Sequence, residues 1–296
     1  MLEMLVKVKN AERRPWEMFF IGLFYASVSL LVVSFIFSKD SVLSQYGGML
    51  LVLFIVLCSL PFMYYLIKVE EGKDIEISKS GRLIKEHSKA LRAFMWLFLG
   101  FVVALAFWYI VLPSYNSVNF NAQISVFCAI NSGENFDYCL KQHGLTGITG
   151  NAAGSRMVIE IFANNIYVMI FTLLFSLAFG AGAIFILAWN ASVIAAAMGI
   201  FARGELIHLP CSVLRYMIHG IPEIAAYFIT ALAGGIISVA IIRRDLQGER
   251  MWKVLEDALI LIIIAIVVMF LAALIEVYIT PDVINLLRGI SVCPAR

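Results

Sequence analysis

The sequence predicts an all-α fold, a polytopic bundle of about seven transmembrane helices. Three observations carry that prediction. The 296-residue chain is 62% hydrophobic and only 14% charged, against about 45–50% and about 25% in soluble domains. Several apolar runs reach the roughly 20 residues that cross a hydrocarbon core. Lysine and arginine fall in blocks between those runs. The period-2 alternation of a membrane β-barrel is absent. A net charge of +2 gives no reason to expect nucleic acid as a partner.

The elements follow in chain order. "MLEMLVKVKNAERRPW" is basic and enters the first span, Trp16–Phe37, without a small-residue cleavage site, so it reads as an uncleaved signal-anchor. Further spans are Met49–Ile67, Leu91–Leu112, Leu214–Ile242 and Ala258–Ile279. Residues 161–201 carry no charge and are too long for one crossing at 1.5 Å per residue. Gly180 and Gly182 mark the centre of that run. Either two helices meet there in a tight turn, or two half-helices re-enter on the same side, which is tolerated only if protein buries the break. The total is seven spans, or five plus a re-entrant hairpin.

Basic residues set the orientation. Residues 1–15 hold Lys7, Lys9, Arg13 and Arg14, residues 68–92 hold seven more, and residues 243–253 hold Arg243, Arg244, Arg250 and Lys253. Placing these blocks in the cytoplasm puts the N-terminus inside, and residues 113–160 and the C-terminus outside. The chain then divides into a three-span region (1–112), an extracellular loop (113–160), a core (161–242), and a last part (243–296). That last part holds a cytoplasmic loop, the final span and an outer tail.

The loop is rich in Asn, Ser and Gly, and an outer flap with little regular structure is expected, with His143 an ordinary exposed histidine. Cys128, Cys139, Cys211 and Cys293 all fall on the outer face, whereas Cys58 lies in the second span. An even number on the oxidising side points to disulfides, and four cysteines allow three connectivities. The short loop between Cys128 and Cys139 favours that pair; free thiols are the alternative.

The sixth span, "LRYMIHGIPEIAAYF", is apolar yet holds ionisable groups. Arg215, His219, Glu223 and Tyr227 recur every four residues and so share one helix face. Pro222, next to the flexible Gly220, removes a backbone donor and predicts a kink near residue 218. Ionisable residues inside a membrane are functional candidates by default; the alternative is a structural pair that pins this helix to its neighbours. Glu223 is expected to contact His219 or a neighbouring helix instead of facing lipid. Asn164, Asn165 and Asn190 are expected to bond across helices or to line a cavity. There is no phosphate-binding loop, serine-nucleophile motif or zinc-spaced cysteine pair. His219 and Glu223 are too few to hold a metal, and no cofactor is expected. Glu205 and His208 add polar groups just before this span.

"FANNIYVMIFTLLFSLAFGAGAIFILAWNASVIAAAMG", followed by "HGIPEIAAYFITALAGG", resembles the stage II sporulation protein M family. The paired asparagines are Asn164 and Asn165, the central glycines Gly180 and Gly182, and the second half carries Asn190 and Gly199. His219, Gly220 and Glu223 follow, then Gly234 and Gly235. The match covers roughly residues 155–245. The resemblance implies an integral membrane protein of the cell envelope. In spore-forming bacteria such proteins help to anchor peptidoglycan-degrading partners during engulfment, and transport has been suggested for the wider family. Three functions remain open. One is a non-enzymatic scaffold for unknown envelope partners, with a homo-oligomer as a further option. Another is a small-solute or ion transporter or channel with a protonatable His219–Glu223 pair. The third is an intramembrane hydrolase with Glu223 as base, which lacks a nucleophile.

Overall fold

A computed structural model describes residues 14–76, 83–131, 136–143, 158–179, 184–202, 207, 209–242, 249–289 and 293. Among them there is no strand. The helices are α1 (Glu17–Val32), α2 (Gly47–Glu76), α3 (Leu83–Val111), α4 (Asn116–Asn119), α5 (Asn121–Asn131), α6 (Phe136–Gln142), α7 (Val158–Phe179), α8 (Ile184–Phe201), α9 (Leu209–Ile242), α10 (Glu249–Leu274) and α11 (Thr280–Gly289). One π-helical turn, Val33–Phe37, extends α1, and another, Ile275–Ile279, joins α10 to α11. Helices dominate because a backbone in hydrocarbon must satisfy its own polar groups. Seven segments among the described residues are long and apolar enough to cross a membrane.

Residues 161–201 form two helices of 22 and 18 residues, α7 and α8, each long enough to cross. Full-length spans therefore replace the half-helices of the re-entrant alternative. Gly180 and Gly182 lie outside the described residues. Phe175 and Phe185 stack with centroids 6.1 Å apart near the connection, and α9 packs against both helices.

Packing between spans depends on small residues, since lipid is as apolar as leucine. A Cβ at Gly22 would collide with the Leu97 carbonyl, and one at Gly100 with that of Phe19, so α1 and α3 approach backbone to backbone. Trp108 Nε1 on α3 donates to Ser27 Oγ on α1 at 3.0 Å. Gly234 on α9 plays the same part against α7, where a Cβ would lie 2.9 Å from Ser176 Cβ. Ser176 Oγ crosses the contact to donate to the Ala231 carbonyl at 2.6 Å. The main core runs from Met18 through Leu97, Ala195 and Phe228 to Met269. Large apolar side chains such as Phe20, Phe171 and Val267 remain exposed on the perimeter, where a bilayer would cover them.

The segment after the third span departs from expectation. Its described residues, 113–131 and 136–143, are largely helical and do not form an irregular flap. Phe120, Ile124 and Cys128 recur every four residues and are buried, so α5 offers an apolar face that its Asn and Ser content conceals. Gln123, fully buried, donates to the Gly48 carbonyl and to Ser192 Oγ, both at 3.0 Å, which fastens α5 to α2 and α8. His143 closes α6 half-buried, not exposed, and burial holds its pKa below the ordinary value. Cys128 and Cys139 are bonded, their sulphurs 1.99 Å apart, and link α5 to α6. Cys211 and Cys293 are bonded at 2.01 Å and link the start of α9 to the chain beyond α11. The two cystines define one end of the bundle, the cystine end.

Candidate functional site

The polar stripe on α9 begins at the cystine end and runs inward. Arg215 comes first, its guanidinium carbon 4.8 Å from the centre of the Phe201 ring on α8. That contact spreads the charge over an aromatic face. One turn deeper, His219 Nδ1 lies 3.4 Å from Thr280 Oγ1, at the start of α11. Thr280 Oγ1 in turn donates to the Ile275 carbonyl at 3.1 Å, a group five residues back across the π-helical turn. His219 thus reaches the seventh span through a side chain that also braces an irregular turn.

Glu223 is half-buried. Its Oε1 accepts the Tyr227 hydroxyl at 2.8 Å, and the same hydroxyl lies 3.1 Å from Asn165 Oδ1 on α7. Tyr227 is almost fully buried, so the hydroxyl is held inside the bundle. Glu276, in the π-helical turn, lies near enough for its charge to act on Glu223 and Tyr227. Three spans therefore converge: α7 with Asn165, α9 with Glu223 and Tyr227, and the seventh span with Glu276 in its π-helical turn and Thr280 at the start of α11.

The chemistry of this seam follows from donor and acceptor counts. A phenol carries one proton and an ionised carboxylate only accepts. With Glu223 ionised, the Tyr227 proton is shared between two acceptors. With Glu223 protonated, the carboxyl can donate to Tyr227 while Tyr227 donates to Asn165. Either protonation state can be housed without moving a helix. Among the described residues, no cluster of three or more His, Cys, Asp or Glu could hold a metal ion.

The expected site residues separate in space. Asn165 joins the seam. Asn164, its neighbour, is exposed. Asn190 turns back on its own helix and donates to the Ile186 carbonyl at 2.7 Å. Pro222 sits within a continuous α9, and a Cβ at Gly220 would make only an ordinary contact, with Met217 Cε at 3.8 Å. Glu205 and His208 fall outside the described residues. Glu276 and Thr280 were missed by sequence reasoning, although a carboxylate in the apolar run "AALIEVYIT" meets the same criterion that singled out Glu223.

Seven apolar spans with a polar seam between them define a multi-pass α-helical membrane protein. Within that class, the chain belongs to the stage II sporulation protein M family, whose profile matches residues 93–281, more than half of it. The match extends beyond residues 155–245 and takes in the third span and the cysteine-bearing helices. Neither the curated proteins nor the solved structures contain a match.

Proposed function

We propose that the protein is a non-enzymatic scaffold of the cell membrane that holds envelope partners at its cystine end. The observation that carries this reading is that the ionisable stripe is engaged in ties between spans: Glu223–Tyr227–Asn165 joins α9 to α7, and His219–Thr280 joins α9 to α11. Two cystines brace the same end, which suits a surface that must keep its shape. The basic blocks between the spans support an orientation with the N-terminus in the cytoplasm and the C-terminus outside.

One observation favours a second reading. Glu223 and Glu276 are two carboxylates that lie near each other within apolar spans, as in a proton-linked transporter or channel. Reconstitution separates the two. Proteoliposomes of the parent and of Glu223→Gln are given a pH gradient and followed with an entrapped pH dye. The scaffold reading expects no protein-dependent flux from either. A flux that Glu223→Gln abolishes while the variant stays folded establishes the second reading. Orientation is tested with Trp252→Cys and Leu286→Cys, both at exposed positions. An impermeant thiol reagent should label only the cysteine at 286 in intact cells.

A further inference from the structure

α7 turns two different faces to its surroundings. Inward, Asn165, Met169, Thr172 and Ser176 are buried, and Asn165 and Ser176 are tied to α9 by the bonds described above. Outward, Asn164, Tyr167, Phe171, Leu174 and Ala178 are exposed, with Ala163 and Ile170 beside them. The outer face recurs in steps of three, four, three and four residues, the a and d spacing of a coiled-coil seam. Among the seven described spans this one is the least covered: 22% of its residues are buried, against 33% to 67% in the others.

One amide interrupts the outer face. Asn164 stands about 5 Å inside the apolar stretch that begins at Ile161, at 1.5 Å per residue. Its side chain has no hydrogen-bond partner among the described residues, whereas Asn165 and Asn190 on the same pair of helices are both bonded. Acyl chains offer an amide neither donor nor acceptor. An amide carries both, so the group that completes it best is a second amide. An apolar face alone would be satisfied by lipid; this one is not.

We propose that the outer face of α7 pairs with the same face of a second copy of this chain, about a twofold axis that brings the two Asn164 amides together. Copies inserted in the same direction run parallel, so each position on the face meets its own counterpart. Each Asn164 then donates to the other and accepts from it. A polar residue at one a position also fixes the register, which sets Phe171 and Leu174 opposite their counterparts. Helices in a membrane associate through such bonds and through packing, since lipid competes equally for apolar surface. The pairing is independent of the scaffold reading, and it leaves the inner face and the polar seam as they are.

Oxidative cross-linking of the full chain in native membranes tests this. Phe171→Cys and Leu174→Cys are made in a Cys58→Ser background, which removes the free thiol and leaves both cystines in place. Leu53→Cys and Leu259→Cys, exposed on α2 and α10, serve as the comparison. Copper phenanthroline should link the first two variants into dimers and leave the second two monomeric, because a disulfide needs Cα atoms within about 7 Å. Energy transfer between labelled copies, diluted stepwise in liposomes, gives the dissociation constant of the pair. Asn164→Ala should raise it about eightfold, from two bonds at an average of about 0.6 kcal/mol each. Equal cross-linking at all four positions, no dimer from either α7 variant, cross-links from those positions to a different protein, or an unchanged dissociation constant in Asn164→Ala each overturns the pairing.

Discussion

Tyr227→Phe isolates the bonds of the polar seam. The substitution removes one oxygen from an almost fully buried ring and leaves the packing volume unchanged. Two bonds go with it, to Glu223 at 2.8 Å and to Asn165 at 3.1 Å. A hydrogen bond to a charged group contributes about 1.5–3 kcal/mol. An interhelical bond in a membrane averages about 0.6 kcal/mol and reaches about 1.7. Because the two share one proton, their worths do not simply add, and a loss of about 2–3 kcal/mol is expected. At roughly 2 °C per kcal/mol for a chain of this size, the thermal midpoint in detergent should fall by about 4–6 °C. Asn165→Ala alone should cost about 1 kcal/mol or somewhat more, with the vacated volume included. The double variant should cost less than the sum of the singles, because both remove the same bond. A midpoint unchanged in Tyr227→Phe, or strict additivity in the pair, would refute the idea that this seam binds α9 to α7.

Other outcomes follow from the packing and the cystines. Gly22→Ala and Gly100→Ala should each destabilise by about 1–3 kcal/mol through overpacking at the α1–α3 contact, whereas Gly220→Ala should be neutral or stabilising by up to about 1 kcal/mol; thermal midpoints decide both. Peptide mapping without reduction should yield Cys128–Cys139 and Cys211–Cys293. Loss of the second should cost more, about 4.5 against about 2.8 kcal/mol by loop entropy, because its cysteines are 82 residues apart instead of 11. Asp40 accepts the backbone N–H groups of Leu43 and Val42, at 2.8 and 2.9 Å, and these bonds hold its pKa below the ordinary carboxylate value. A lowered folded pKa means stabilisation present above the unfolded value of about 4 and lost as pH falls through the folded one. The stability gap between the parent and Asp40→Ala should therefore narrow in acid, and a gap that widens would reverse the sign.

The spans were legible because hydrophobicity is a one-dimensional property, and the stripe from Arg215 to Tyr227 because helical period is too. The partners of that stripe were not. That Tyr227 meets Asn165 and His219 meets Thr280 depends on how α7 and α11 pack on α9, which no local pattern records. The four-residue period of Phe120, Ile124 and Cys128 was present in the sequence, but the surrounding Asn and Ser drew attention to composition instead. Gln123 shows why that composition exists. Its side-chain amide bridges α5 to α2 and α8 through the Gly48 carbonyl and Ser192 Oγ, while its Oε1, like Asn119 Oδ1, is buried without a protein hydrogen-bond partner. Glu276 escaped notice because it stands alone in its span, outside any repeating stripe.

The Cys211–Cys293 bond has a mechanical meaning. It closes a covalent ring that contains α9, α10 and α11, so the last span is attached to the chain at both of its ends. A pull applied beyond Cys293 bypasses α10 and loads the first turn of α9 directly. The grip of the seventh span on its neighbours is not in that load path. Traction from outside would instead be borne by the helix that carries the polar seam, and a cut in the connection between α9 and α10 would leave the final span tethered until the sulphurs were reduced.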